Sequence, residues 1–187
     1  MMEQVILVDE KDNETGVMPK LEAHQKGILH RAFSVFIFNS KGELLLQQRA
    51  LNKYHSAGLW SNTCCSHPLP GESINDAANR RLAEEMGLSC KIYPAFSFIY
   101  KADLYNDLVE HEYDHVFIGT SDAVPVISKD EVAQSKYIDV QSLTEDMIKN
   151  PSTYTAWLRI CFERVVEYNG KSSLPVIPTV GEHEGST

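Results

Sequence analysis

ESINDAANRRLAEEMGL, residues 72–88, is the stretch on which the fold turns. Ser73 followed three residues later by Asp76 is a helix-start pattern, because a short side-chain acceptor there can satisfy a free backbone N–H. Ala78, Leu82 and Met86 then recur every four residues as one apolar stripe, and Gly87 suits a left-handed stop. The spacing predicts a helix of about four turns.

Outward from this helix the chain alternates between strand and helix patterns. Upstream, Pro68-Leu69-Pro70-Gly71 breaks the chain after an extended stretch, Trp60 to His67, that is rich in Cys, Ser, Thr and Asn. Arg31 to Phe38 and Glu43 to Gln48 flank the turn signal Asn39-Ser40-Lys41-Gly42 and read as a hairpin, and Gln4 to Val8 reads as a first strand. Downstream, Lys91 to Tyr100 and Glu110 to Gly119 read as a second strand pair around Asp103 to Leu108. Ser142 to Asn150 and Tyr154 to Tyr168 are amphipathic helices parted by Pro151. From Asn169 onward Gly, Ser, Pro and Thr dominate, so residues 169–187 are expected to be a mobile tail behind a single domain spanning 1–168. The pattern predicts a mixed α/β architecture, one sheet with helices on both sides.

Composition removes several functional classes. The 187 residues carry 17 Lys+Arg against 26 Asp+Glu, a net charge of −9, which argues against a non-specific nucleic-acid binder. An anionic substrate would need its cations gathered locally. No apolar run approaches the roughly 20 residues of a membrane span. Residues 1–10 lack a basic region followed by a long apolar one, so no secretory leader is expected. Four cysteines are too few for a disulfide scaffold and fit a reducing, cytoplasmic setting.

Three segments concentrate reactive groups. In Trp60-Ser61-Asn62-Thr63-Cys64-Cys65-Ser66-His67, strand alternation puts Cys65 and His67 on one face and Cys64 and Ser66 on the other. A thiol two positions from an imidazole can be a nucleophile pair, a metal pair, or a proton donor beside a metal ligand. The bland alternative is two small core hydrophobes. In Val109-Glu110-His111-Glu112-Tyr113-Asp114-His115 the two glutamates share a face, where they either hold a cation or raise one another's pKa; the alternative is a solvated edge strand. His24 and His30 mean little alone. Joined with His67 and the glutamates they make a near-octahedral donor set for a divalent ion.

The helix segment resembles the signature of the Nudix superfamily, G-x5-E-x7-R-E-U-x-E-E-x-G-U with U a bulky aliphatic residue. Glu72, Arg80, Leu82, Glu84, Glu85, Gly87 and Leu88 fit, while Ser66 replaces the first glycine and Arg81 the glutamate that follows the arginine. In Nudix hydrolases that glutamate helps hold the metal that cleaves a diphosphate. A cation in its place favours keeping the diphosphate intact. The stretch Trp60 to Pro68 narrows the likeness: it resembles the type I isopentenyl diphosphate isomerase family, whose W-[ST]-N-x-x-C-x-H motif carries a catalytic cysteine. The resemblance runs on through His24 and His30, Arg49-Ala50-Leu51 with Lys53, Tyr100, Glu110 and Glu112, and Trp157, covering about residues 4–168.

That resemblance implies a 1,3-allylic shift of a double bond by proton addition and removal on opposite faces of an alkene. It implies Cys65 and Glu112 as the two proton-active groups, with Tyr100 assisting the glutamate. It also implies Zn2+ or Mn2+ on His24, His30, His67, Glu110 and Glu112, and Mg2+ bridging the substrate diphosphate to Glu85. Lys20, Arg49, Lys53 and Arg81 would bind the diphosphate. Trp157 would face the cationic intermediate, with Trp60 read first as core and second as pocket wall. The partner implied is a small-molecule diphosphate, met by a monomer or weak dimer. Two rivals stand against this: a Nudix hydrolase of nucleoside diphosphate derivatives, and a catalytically silent metal-binding module on the same fold.

Overall fold

Alternation along the strands sorts the apolar side chains onto the two faces of one nine-stranded sheet, and helices cover both faces. The structure is a computed structural model and describes residues 3–170. The strands are β1 (Gln4–Val8), β2 (Glu14–Pro19), β3 (His30–Phe38), β4 (Leu44–Arg49), β5 (Trp60–Ser61), β6 (Cys64–Ser66), β7 (Ile92–Asp103), β8 (Val109–Thr120) and β9 (Val132–Ile138). The helices are α1 (Lys20–Lys26), α2 (Ile74–Met86), α3 (Val140–Lys149) and α4 (Ala156–Asn169), with a 3-10 turn at Pro151–Thr153. The expected mixed sheet flanked by helices on both sides is therefore what forms. Asn169 closes α4 and Gly170 follows it; the rest of the expected tail lies outside the described residues. No helix among them is long and apolar enough to cross a membrane.

β3 organises the sheet. Along one edge it pairs in parallel with β8, from His30 opposite Glu112 to Phe38 opposite Thr120. Its other edge is divided among β1 at His30, β6 from Phe33 to Val35, and β4 at Phe38 alone. The expected β3–β4 hairpin thus closes on one pair and then splays, and β4 leaves to pair with β5 and β9. The wedge is the Asn62-Thr63 dipeptide, which also divides the expected extended stretch into two short strands. Thr63 Oγ1 accepts from the Ile37 N–H at 2.9 Å and donates to the Leu45 carbonyl at 2.6 Å. Asn62 Nδ2 donates to the carbonyls of Val35 and Cys64. Side chains replace the missing ladder bonds, so the split leaves these backbone groups satisfied.

α2 forms as its sequence pattern requires. Ser73 Oγ accepts from the Asp76 N–H at 3.1 Å, and Gly87 ends the helix in the left-handed region at φ 62°. Its apolar stripe packs on Phe33, Val35, Ile37 and Leu45. On the opposite face, α3 and α4 cover Phe36, Phe38, Leu44, Leu46, Val116 and Ile118. Counting back by twos from that second face leads along β3 to Ser34, Ala32 and His30, and along β8 to Asp114, Glu112 and Glu110. One side of the sheet is therefore apolar beneath the helices and polar beyond them.

Candidate active site

Where that face turns polar, a cavity of about 330 Å³ opens between β3, β6, β8 and the loop joining β4 to β5. Cys65, His67, Glu85, Tyr100, Glu110, Glu112 and Trp157 line it, as do Lys20, Arg49, Lys53 and Arg81. His24 and His30 are fully buried against His67, with ring centroids 5.8 and 5.0 Å from it. The residues that the resemblance assigns to catalysis, to the metal and to the diphosphate are thus brought to one place, whereas Trp60 is not. Trp60 is not part of the lining: it packs against the α3–α4 core and takes the Lys136 ammonium 4.3 Å over its ring.

The inner wall is a cluster of metal-ligand type. His24, His30, His67 and Glu112 converge, their ligand atoms all within 4.8 Å of one another. His24 and His30 each use Nδ1 on a backbone carbonyl, that of Lys20 at 2.7 Å and that of Ile28 at 2.8 Å. The Nε2 atoms of both are left buried without a partner. Carbonyl-anchored imidazoles with free Nε2 lone pairs are the form that binds divalent ions. Burial pushes His24 down and His67 to about 4, against the pull of Glu112, so both rings are neutral and available at neutral pH. The residues present fit a divalent metal; the donor set alone does not select Zn2+, Mn2+ or Mg2+.

Glu112 sits between His30 on β3 and Tyr100 on β7 in the register of three strands. Its Oε1 faces His67 Nε2 at 3.0 Å and His30 Nε2 at 3.5 Å, while its Oε2 accepts from Tyr100 Oη at 2.6 Å. Burial disfavours the carboxylate, but the facing His30 ring and the hydrogen bond with His67 outweigh it and hold Glu112 well below its usual range. Glu110 goes the other way, raised by burial and by the neighbouring Glu112 charge. The two glutamates share a face as their spacing predicts, on an interior strand and not on a solvated edge. Glu110 nevertheless stands apart from the four-membered cluster and groups instead with His24 and His55.

Cys65 and Cys64 separate as alternation demands. Cys64 is fully buried beneath α2, whereas Cys65 faces the cavity opposite Ser34. Burial, assisted by Glu85, Glu110 and Glu112, pushes the Cys65 thiol up to about 12 despite the opposing charge of Arg49. It is a protonated thiol at neutral pH, which suits a proton donor better than a thiolate nucleophile.

The four cations are not equally free. Lys20 pairs with Glu3 at 3.2 Å, Lys53 with Glu131, and Arg81 with Glu85 at 2.5 Å and Glu131 at 3.2 Å. Arg49 has no carboxylate partner among the described residues; it lies 5.3 Å over the Trp157 ring and leaves Nε buried without an acceptor. Arg81 Nε is likewise unpartnered. Such donors around a cavity suit an oxyanion. Glu85 is held by Arg81 and by Gln47 Nε2 at 2.8 Å, outside the two converging ligand groups. Trp157 is held in place by donating Nε1 to Ser61 Oγ at 2.9 Å.

The sequence reading missed His55, Glu131 and Asp114. Asp114 extends the Glu110–Glu112 alternation by one more step, is fully buried, and accepts from Ser34 Oγ at 2.8 Å. Burial and the Glu112 charge raise it to about 8. That alternation was visible in the chain; nothing in the local pattern marked His55 or Glu131.

Comparison with known proteins is consistent with this geometry. A NUDIX domain profile matches residues 28–158. The chain is 54% identical over 166 residues to isopentenyl-diphosphate Delta-isomerase 2 of Aromatoleum aromaticum, covering 89% of this chain and 88% of that protein. It is 54% identical over 165 residues to isopentenyl-diphosphate Delta-isomerase of Pectobacterium atrosepticum, with 88% and 92% covered. The crystal structure of DR0079 from Deinococcus radiodurans superposes with a TM-score of 0.71 at 18% identity, over 88% of this chain and 98% of that one, a likeness of fold.

Proposed function

Because the chain belongs to the NUDIX-domain proteins and, among them, to the isopentenyl-diphosphate Delta-isomerases, we propose that its cavity converts isopentenyl diphosphate to dimethylallyl diphosphate. The observation that carries this reading is the placement of Cys65 and the Tyr100–Glu112 pair in one cavity with unpartnered arginine donors at its wall.

An unactivated alkene is a poor base, so a positioned acid has to protonate its terminal methylene. The tertiary cation that results is discharged when a base removes a proton from the neighbouring carbon. Cys65 and Glu112 serve as the two groups, one on each face of the alkene, and the reaction is reversible. Tyr100 Oη, 2.6 Å from Glu112 Oε2 and 3.1 Å from Glu110 Oε2, orients the carboxyl and can relay its proton. Trp157 excludes water that would trap the cation as an alcohol, and its ring face is worth roughly 2 kcal/mol to a desolvated cation.

His24, His30, His67 and Glu112, with Glu110, would hold a divalent ion, Zn2+ or Mn2+, whose chemistry is to fix Glu112 and tune its proton affinity. Glu85 would meet the Mg2+ that accompanies the diphosphate. Arg49 and Arg81 bind the diphosphate oxygens, with Lys20 and Lys53 turning from Glu3 and Glu131 to join them. Arg81 stands where a hydrolase keeps a carboxylate, which supports retention of the diphosphate over its cleavage. The four unpaired cysteines favour a reducing compartment, the cytoplasm.

Incubation with isopentenyl diphosphate in deuterated water, with and without chelator, tests the reading. Deuterium in a dimethylallyl product only when metal is present is the expected result. Release of phosphate or diphosphate without a deuterated product would favour the hydrolase instead.

A further inference from the structure

We propose that His55 is a ligand of the metal centre, so that the loop between β4 and β5 closes one side of the ion's coordination sphere. This rests on the reading above that the histidine cluster holds a divalent ion. It goes beyond the donor set read from the sequence, which contains three histidines and no residue of this loop.

Three observations converge on His55. Its ring nitrogen, one Glu110 oxygen and one His24 nitrogen lie within 4.8 Å of one another, a second ligand group beside the first. His55 Nδ1 is 4.0 Å from Glu110 Oε1, and its ring stacks on His24 with centroids 5.6 Å apart and planes inclined by 28°. The residue is 8% exposed although its loop lies at the surface. Its ring makes one hydrogen bond among the described residues, a long contact to Ser56 Oγ at 3.4 Å. A buried imidazole so weakly engaged by protein is poorly explained as packing.

The two groups cannot be two separate ions. Both use His24, whose Nδ1 is committed to the Lys20 carbonyl. That leaves one lone pair, on Nε2, and one lone pair binds one ion. The groups are therefore halves of a single centre, with His30, His67 and Glu112 on one side and His55 and Glu110 on the other. Octahedral bonds of about 2.1 Å place opposite donors about 4.2 Å apart; each group by itself has a spread near that, and the two would draw together around the ion they share. The completed set, four imidazoles and two carboxylates, favours a transition metal over Mg2+. It also accounts for the position of Glu110, which the four-membered group leaves out.

The loop is built to hold the ring there. Arg49 Nη2 donates to the His55 carbonyl at 3.3 Å, Gly58 N–H donates to the Arg49 carbonyl at 3.1 Å, and Ser56 takes up the left-handed conformation at φ 50°. Tyr54 packs edge-on against the ring at 4.5 Å.

The test is a count of coordinated nitrogens. The full-length protein is loaded with Mn2+, and pulsed electron paramagnetic resonance counts the imidazoles bound to it. Four in the unmodified protein and three in His55→Ala are expected, with Mn2+ and Zn2+ affinity falling at least about tenfold, the scale seen for weaker outer partners. Three in both proteins, with affinities within a factor of two, would overturn the assignment of His55 and leave the rest of the centre standing. Absence of any Mn2+–imidazole coupling in the unmodified protein would overturn it together with the metal reading beneath it. The count on the unmodified protein stands even where His55→Ala folds poorly.

Discussion

At the scale of single residues the sharpest test is the adjacent pair Cys64 and Cys65. They differ in little but strand parity, yet one is sealed beneath α2 and the other faces the cavity. Replacing Cys65 with Ala should lower turnover by roughly 10²–10⁴-fold, the usual worth of a positioned acid or base. Cys64→Ala should keep most of the turnover and instead cost about 1 kcal/mol in urea unfolding for the small void it leaves. Equal losses of turnover from both would refute the face assignment. Glu112→Gln should likewise remove turnover, since it cannot shuttle a proton, and should weaken divalent-metal binding measured by titration calorimetry; a fully active variant would exclude the proton role. These residues were legible because two-residue alternation turns neighbouring letters into opposite faces. His55 was not, because a loop has no period to read.

Among the elements, α2 was the most legible because cap, stripe and stop agree along its length. α1, β2 and β9 went unread for a common physical reason. β2 buries none of its residues and β9 buries only Val132 fully, so neither shows the alternation that half-burial imposes. α1 spans seven residues, begins after Pro19 and has no side-chain cap at its start. It forms because tertiary packing holds it, and it matters because it carries His24. The ends of α2 yield a graded prediction. Ser73→Ala removes one capping acceptor and should cost about 1 kcal/mol. Gly87→Ala should cost more: the left-handed backbone alone disfavours a side chain by about 1–2 kcal/mol, and the added Cβ would stand 2.6 Å from the Val126 carbonyl oxygen. Urea midpoints of the two variants decide it, and a smaller effect at Gly87 would mean that the 121–131 segment yields easily.

For the whole molecule, the consequential feature is where the metal-ligand residues come from. His24 lies on α1 and His30 on the β3 strand that follows it, while His67 lies just beyond β6 and Glu112 on β8, both far along the chain from that pair. The sheet brings them together, but at the cost of burying ring nitrogens without partners. An ion that binds the folded chain and not the unfolded one stabilises it by mass action, about 4 kcal/mol at a thousand times its dissociation constant. For a chain of this size each kcal/mol moves the melting temperature by about 2–4 °C, so saturating metal should raise it by about 8–16 °C over the chelated protein. Mn2+ is the better probe than Zn2+, because unfolded Cys and His side chains also capture zinc and shrink the difference. His24→Ala should lose most of the rise, since it removes the nitrogen that both ligand groups use. Differential scanning fluorimetry across a Mn2+ titration reads both proteins, and a melting temperature that ignores Mn2+ at every concentration would mean that the buried histidines serve packing and hydrogen bonding alone.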